Sequence, residues 1–290
     1  MKFSLAVAMV PLDQLLPLAQ TAEQCGFAAV NLPDSLFFME KAAVDYPYTA
    51  DGARMWNEES PFVDPLIAAA AMGAVTETIA FRTNVLKLGS RNPLLLARQI
   101  GSVANLTGGR FELGVGVGWA PEEFEWCGVP YRRRGARVDE MIDVITAVLA
   151  GGMVEYHGEF FDFDRLQISP APTRRVPIYV GGHTNAALSR AARVGDGWTS
   201  ALMAFDELVK TITRLGELRA EYGTDDRPFE IQASGVATHD YTELAAVGVT
   251  DVSVMPWAMR RLPMDCPLEA KQDAVREFAA QHIHIDVRRT

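Results

Sequence analysis

The chain has 290 residues, of which 49% are apolar and 22% are charged, and this composition is typical of a globular protein with ample material for a core. Its formal net charge of −10 repels phosphate backbones and anionic lipid, so we expect neither a nucleic acid nor a membrane partner. Its cysteines, Cys25, Cys127 and Cys266, show no Cys-x-x-Cys spacing. This disfavours a disulfide framework or a thiolate metal site and fits a reducing cytoplasm.

An apolar run of strand length opens the chain, from Phe3 to Val10. Because it follows Lys2, it is similar to the positively charged and apolar regions of a signal peptide. However, Asp13 interrupts the run and no small-residue cleavage pattern follows. We therefore interpret the run as a buried strand. No apolar stretch approaches the ~20 residues that a membrane span needs, which predicts a soluble protein.

Strand-length apolar runs and amphipathic helical runs alternate along the whole chain. The predicted strands are 3–10, 28–32, 79–86, 110–117, 177–180, 197–200, 229–235 and 251–255. The helices predicted to follow them are 12–25, 63–75, 94–106, 137–149, 185–194, 206–221, 242–247 and 268–281. Such βα units without a long polar linker close a barrel more naturally than an open sheet. We predict an α/β fold, a single (β/α)8 TIM barrel that spans residues 1–290 as one domain.

Two segments interrupt this alternation and are predicted to be insertions. Residues 33–61, rich in Asp, Pro, Tyr and Met, leave the carboxyl end of the second strand, where such barrels place their active sites. They form either a lid over a pocket or a plain surface loop. Residues 151–172 precede the fifth strand, and 155–164 alternate like a β-hairpin. We expect this second insertion to cover the outside or the bottom of the barrel.

Glycines follow the fourth predicted strand in the stretch LGVGVGW, at Gly114, Gly116 and Gly118. The spacing is not that of a dinucleotide fingerprint, because the third glycine does not open a helix. The glycines either let a flat ring approach the end of the strand or give packing space inside a crowded barrel.

A second glycine-rich stretch, Gly181-Gly182-His183-Thr184, joins a strand directly to a helix. Free backbone N–H groups, the helix dipole and the Thr184 hydroxyl favour an anion at such a turn, so the stretch is a candidate phosphate site. The alternative is an ordinary tight βα turn capped by Thr184 or Asn185.

Polar residues at two other strand ends are placed to reach the same central space. Asp34 follows the second strand, where a carboxylate can hydrogen-bond a cofactor or move a proton, although it could equally cap a turn. Thr83, Asn84 and Val85 end the third strand, and polar side chains in such places usually satisfy local backbone.

Charged residues elsewhere give weaker signals. Lys87 and Arg91 follow the third strand and could bind an anionic cofactor tail or be ordinary surface charges. His282, His284 and Asp286 have the composition of a metal cluster, but alternation near a polar terminus is more typical of an edge strand or a tail. We therefore predict no metal site.

Four stretches of the sequence resemble the luciferase-like monooxygenase superfamily, and most closely its branch of coenzyme F420 (deazaflavin)-dependent oxidoreductases. They are GFAAVNLPDSLFF, the block from RTNVLKLGSRNP to GARVDEMIDVI, VEYHGEFFDF and PIYVGGHTNAALSRAARVGDGW. They follow the family's order and spacing over residues 1–200, and the rest of the chain matches only in its pattern of strands and helices.

The resemblance implies a flavin-like ring stacked at the end of the third strand, over a bulge with a non-prolyl cis peptide at Asn84–Val85. It also implies that Gly181–Thr184 binds the cofactor phosphate. Asp34 and the strand end Gly114–Gly118 are implied to lie beside the ring.

Two residues depart from the family's pattern. Several deazaflavin enzymes carry His directly after the strand-two Asp, where this chain has Ser35. The sugar-phosphate dehydrogenases of the group carry Glu where this chain has Trp119. Oxidation of a sugar phosphate is therefore not implied.

Three functions are compatible with the resemblance. The first is hydride transfer between F420 and a small organic substrate such as an activated alkene or carbonyl, with the chemistry supplied by the cofactor. The second is an FMN-dependent monooxygenase that receives reduced flavin from a partner reductase. The third is a non-catalytic flavin-binding protein, which the lack of His at Ser35 keeps open. We expect F420 rather than FMN, because the matching stretches are closer to the deazaflavin branch, and the family's tendency implies a homodimer.

Overall fold

The computed structural model describes residues 1–235 and 240–283 and contains a closed ring of parallel strands surrounded by helices. Its strands are β1 (Lys2–Ala6), β2 (Ala29–Leu32), β3 (Ala80–Thr83), β4 (Leu86–Lys87), β5 (Phe111–Gly116), β6 (Val154–His157), β7 (Asp162–Leu166), β8 (Ile178–Gly181), β9 (Gly197–Thr199), β10 (Glu230–Ser234) and β11 (Asp251–Val254). The ring runs in the order β3, β2, β1, β11, β10, β9, β8 and β5, and the pairing of β3 with β5 closes it. The predicted (β/α)8 TIM barrel is confirmed.

The helices lie outside the ring and connect its strands. They are α1 (Leu12–Gln24), α2 (Pro65–Gly73), α3 (Pro93–Leu106), α4 (Pro121–Glu125), α5 (Arg134–Leu149), α6 (Asn185–Val194), α7 (Phe205–Glu221), α8 (Tyr241–Ala246), α9 (Pro256–Met259) and α10 (Leu268–His282). The short helices α4 and α9 were not predicted, because helices of one turn carry too few residues to show a helical period. The described residues contain no helix long and apolar enough to cross a membrane.

Side chains at the starts of α2, α3 and α6 accept hydrogen bonds from the first backbone N–H groups of these helices. Asp64 caps α2 and Asn92 caps α3, each followed by Pro at the first helical position, and Thr184 caps α6. These caps mark where each helix begins, at the carboxyl ends of the strands. We refer to this end of the ring as the mouth.

The third strand of the ring is broken by a bulge. Phe81 pairs with Phe111 and Leu86 with Val115, so the third strand carries one residue more than β5 between the two pairings. The extra length falls at Asn84–Val85, whose peptide bond is cis, as the family resemblance implied. The predicted strand 79–86 is therefore two strands, β3 and β4, separated by this bulge.

The apolar core fills the layer between ring and helices, whereas the inside of the ring is polar. Arg82, 2% exposed, donates from Nη1 to Asp251 Oδ2 at 2.7 Å and from Nε to Glu112 Oε2 at 2.7 Å. These residues come from β3, β11 and β5, so their side chains meet inside the ring. This buried ion cluster was not predicted from the sequence.

Both predicted insertions are present. The described chain forms no helix or strand between Leu32 and Pro65. Strands β6 and β7 form the predicted antiparallel hairpin. Its turn donates the N–H groups of Phe160 and Phe161 to the Glu140 carboxylate on α5, so the hairpin lies on the outside of that helix.

Candidate functional site

Asp34, at the end of β2, holds the turn that follows the bulge. Its Oδ2 accepts from the Lys87 N–H at 2.8 Å and from Arg91 Nη1 at 2.8 Å, and its Oδ1 accepts from Arg91 Nη2 at 3.0 Å. The Asp34 side chain is only 2% exposed and that of Arg91 is 14% exposed. A carboxylate occupied in this way orients its neighbours. A catalytic role for Asp34 stays a prediction, and these hydrogen bonds favour a positioning role.

A second buried ion pair fixes the same turn from the opposite side. Lys87 Nζ pairs with Glu123 Oε1 of α4, and the two side chains are 11% and 1% exposed. Lys87 and Arg91 are therefore neither ordinary surface charges nor unpaired cations available to an anionic tail. The sequence reasoning missed Glu123, and the only signal for it was the acidic pair after Pro121.

The glycines of β5 make room for the bulge. Thr83 Oγ1 donates to the Gly114 carbonyl at 2.7 Å and accepts from the Gly114 N–H at 2.9 Å. A Cβ at Gly114 would lie 1.8 Å from the Thr83 carbonyl oxygen, and one at Gly116 would lie 2.7 Å from Val85 Cγ2. The packing alternative therefore accounts for both glycines, and their contact with a ring stays a prediction.

The remaining mouth glycines accommodate other neighbours. Gly118 has φ +84°, and a Cβ there would lie 2.9 Å from the Phe124 ring. A Cβ at Gly181 would lie 3.0 Å from Val85 Cγ1, so Val85 sits between the ends of β5 and β8. The bulge thus reaches across to the strand that carries the candidate phosphate turn.

The backbone of that turn requires a glycine at residue 182. Gly182 has φ +113°, and a Cβ there would meet the Ala187 Cβ at 2.9 Å. Its carbonyl accepts from Trp198 Nε1 at 2.9 Å. Any side chain at this position strains the turn, so a substitution of Gly182 changes folding as well as binding.

Backbone N–H groups at the start of α6 are available to a ligand. Thr184 Oγ1 accepts from the Ala187 N–H at 3.3 Å, which leaves its own hydrogen free to donate. Within residues 1–235 and 240–283, no hydrogen bond uses the N–H groups of residues 183–186. Unpaired donors at a helix start favour a phosphate or another anion.

His183 serves the turn as a hydrogen-bond acceptor. Its Nε2 accepts from the Ala201 N–H at 3.0 Å, which requires the neutral ring. Burial lowers the pKa of His183 from its usual 6.5, and this agrees with the neutral form. The predicted phosphate contact of His183 is therefore its backbone N–H rather than its ring.

The insertion after β2 covers the mouth with aromatic rings. We call residues 35–59 the lid segment. The Tyr46 ring lies 5.4 Å from that of Trp119 and 5.0 Å from that of Trp56, and the Tyr48 ring lies 5.3 Å from that of His183. Burial raises the pKa of Tyr46 to about 12. The lid segment therefore contacts Trp119, which follows β5, and the candidate phosphate turn.

Comparison with known proteins identifies the family. The family model described as luciferase-like monooxygenase matches residues 3–285. The chain belongs to the luciferase-like monooxygenase family. An uncharacterized protein of Mycobacterium tuberculosis is 41% identical over 285 residues, which are 96% of this chain and 98% of that protein.

Two further relatives differ in what their names describe. An F420-dependent glucose-6-phosphate dehydrogenase of Microbacterium testaceum is 29% identical over 277 residues, 89% of this chain and 77% of that protein. The crystal structure of the monooxygenase RslO1 of Streptomyces bottropensis matches with a TM-score of 0.75 at 19% identity, over 97% of this chain and 98% of that one. One sequence relative is thus named as an F420-dependent enzyme, and the likeness to RslO1 shows the shared fold.

Metal binding finds no support in the described part of the chain. Residues 1–235 and 240–283 contain no group of three or more His, Cys, Asp or Glu side chains that could hold a metal ion. His284 and Asp286, whose residue types are those of a metal cluster, lie outside the described residues.

Proposed function

We propose that the chain is an oxidoreductase that transfers a hydride between F420 and a small organic substrate bound at the mouth. One observation carries the proposal: the strand bulge at Asn84–Val85 and the N–H groups of residues 183–186, which no hydrogen bond within the described residues uses, lie at the same mouth. A ring with a phosphate-bearing tail needs a flat support and an anion site side by side. Both flavins and deazaflavins have this chemistry, so the residues present fit the group.

The protein's part in this reaction is binding, orientation and exclusion of water. The bulge would support the ring, and Gly181–Thr184 with the start of α6 would hold the phosphate. Asp34 would keep the turn after the bulge in place. The cofactor, when bound, supplies the hydride chemistry. The lid segment would keep water away from the transferred hydride, because its rings already pack on Trp119 and His183.

The substrate class follows from the same rings. Tyr46, Trp56 and Trp119 give the mouth aromatic walls, which suit an uncharged, conjugated molecule. The substrate of the relative named as a glucose-6-phosphate dehydrogenase is not proposed for this chain, because the family resemblance implies that Trp119 stands where such enzymes carry Glu.

F420 is proposed ahead of FMN on two grounds. A relative that spans most of this chain carries F420 in its name. In addition, the two carboxylates that hold the turn after the bulge, Asp34 and Glu123, are in buried ion pairs, so this turn offers position rather than acid–base groups. The second candidate is an FMN-dependent monooxygenase supplied by a reductase, which is supported by a relative named as an FMNH2-dependent dimethylsulfone monooxygenase, 30% identical over 183 residues, 62% of this chain.

Native mass spectrometry after incubation with FMN and with F420 tests the choice. We expect a complex with F420 that survives at concentrations where FMN is lost, and oxidation of reduced F420 by a library of activated alkenes and carbonyls without oxygen uptake. Tighter FMN binding with oxygen consumption would establish the monooxygenase, and binding without turnover of either cofactor would point to a binding protein. The same spectra measure whether the chain forms the homodimer that we propose.

A further inference from the structure

A continuous chain of hydrogen bonds runs through the inside of the ring to the bulge. It starts at the Arg82–Asp251 ion pair and continues through Gln232 and Thr199 to Asn84. Asp251 and Gln232 are fully buried, and Thr199 is 2% exposed. Asn84, the last member, is half-buried, whereas the other four are buried.

Each hydrogen bond in this network has a fixed donor and a fixed acceptor, because Arg82 can only donate and the Asp251 carboxylate can only accept. The Arg82 guanidinium can only donate, and it donates to Asp251 Oδ2 at 2.7 Å. The Asp251 carboxylate can then only accept, so Gln232 must offer its NH2 group, from Nε2 at 2.7 Å. This places the Gln232 carbonyl oxygen toward Thr199, at 3.0 Å from Thr199 Oγ1.

The Thr199 hydroxyl has a single hydrogen to give. Gln232 Oε1 at 3.0 Å can only accept it, and the Ser200 carbonyl oxygen, at 3.4 Å, is the more distant competitor. Once that hydrogen is given to Gln232, Thr199 Oγ1 can act toward Asn84 only as an acceptor. The structure places Asn84 Oδ1 at 3.2 Å from Thr199 Oγ1, and two acceptors cannot form a hydrogen bond, so a half-turn of the amide must bring its NH2 group to this position.

We infer that Asn84 turns its NH2 group to Thr199 and its carbonyl oxygen to the mouth, so that the cofactor site presents a hydrogen-bond acceptor beside the bulge. An Asn amide can present either end by a half-turn about its last side-chain bond, and the network decides which. Thr199 and Gln232 are accordingly positioning residues. Resting on the proposed function, the inference adds that the ligand group facing Asn84 is a donor, such as a ring N–H.

The orientation can be measured without any ligand. In protein labelled with 15N-Asn, the Asn84 side-chain signal is identified by its loss in Asn84→Ser. We expect its two amide protons to exchange with water about tenfold faster in Thr199→Val than in the wild type, because the valine removes their acceptor. Thr199→Ser, which keeps the hydroxyl, should restore slow exchange. Thr107→Val removes a buried hydroxyl far from the mouth and should leave the signal unchanged.

Titration with FMN and with F420 then tests the acceptor. Affinity for the bound cofactor should fall about tenfold in Thr199→Val and recover in Thr199→Ser. Equal amide exchange in the wild type and Thr199→Val would overturn the orientation, and unchanged affinity would overturn the donor requirement. If the wild type bound neither cofactor, the proposed function would fail, while the exchange measurement would still decide the orientation.

Discussion

Two walls of the mouth are held in place by opposite means. The β3 wall, residues 83–91, is fixed by two buried ion pairs, Asp34–Arg91 and Lys87–Glu123. The β8 wall, residues 181–186, is fixed by neutral hydrogen bonds and by a glycine with positive φ, and it keeps backbone N–H groups unpaired. Charge on the first wall is neutralised within the protein. An anion is therefore expected at the second wall, although the first carries the cationic residues.

The largest expected effect comes from breaking an ion pair of the β3 wall. Asp34→Ala leaves the Arg91 guanidinium buried without a partner and should lower the free energy of unfolding by about 3 kcal/mol. Urea denaturation measures the change. Asp273→Ala removes a carboxylate from an exposed pair with Arg276 and should change stability little. Equal losses in the two variants would show that Asp34 does not hold the wall.

The β8 wall should respond in its binding rather than in its stability. Ala186 is exposed at the second position of α6, where a carboxylate agrees with the helix dipole. Ala186→Glu should therefore fold normally, yet weaken cofactor affinity at least about tenfold, because its charge competes with the phosphate. This variant avoids the backbone strain that any side chain would cause at Gly182.

A matched variant separates the phosphate site from a general charge effect. Ile67 is 66% exposed in the first turn of α2, which also begins at the mouth. Ile67→Glu adds the same charge to another helix start and should leave cofactor affinity near that of the wild type. Equal weakening by Ile67→Glu and Ala186→Glu would remove the reason to place the phosphate at the β8 wall.

Much of the fold could be predicted from the sequence because the pattern of each βα unit lies within a short stretch of residues. A strand such as 251–255 and a helix such as 185–194 carry their apolar period within a few residues. The cis bulge at Asn84–Val85 was reached only through the family resemblance. Periodicity places one continuous strand there.

The partners inside the site could not be predicted, because they come from distant parts of the chain. Arg82 and Asp251 are 169 residues apart in sequence and meet only once the ring closes. Lys87 and Glu123 meet because the five-residue helix α4 folds back on the turn after β4, and a helix so short shows no period. Charged and amide residues within apolar strands, such as Arg82 and Gln232, were the available signal for the polar interior.

The smallest expected effect is a dependence of stability on pH that originates in the β8 wall. Because burial lowers the pKa of His183 below 6.5, the unfolded chain binds a proton at this residue more readily than the folded one. The neutral ring's bond to the Ala201 N–H is therefore fully present above pH 6.5 and is lost as the pH falls through the lowered pKa. The His183→Gln variant does not titrate at this position, so its melting temperature should fall less than that of the wild type on acidification.

His157 provides a control of opposite sign, since its exposed bond to Asp162 raises its pKa and favours the protonated form. His157→Gln should lose slightly more stability in acid than the wild type does. If His183→Gln lost as much as the wild type, the histidine would not hold the β8 wall in its neutral form, and the contrast between a charged and a neutral wall would not hold.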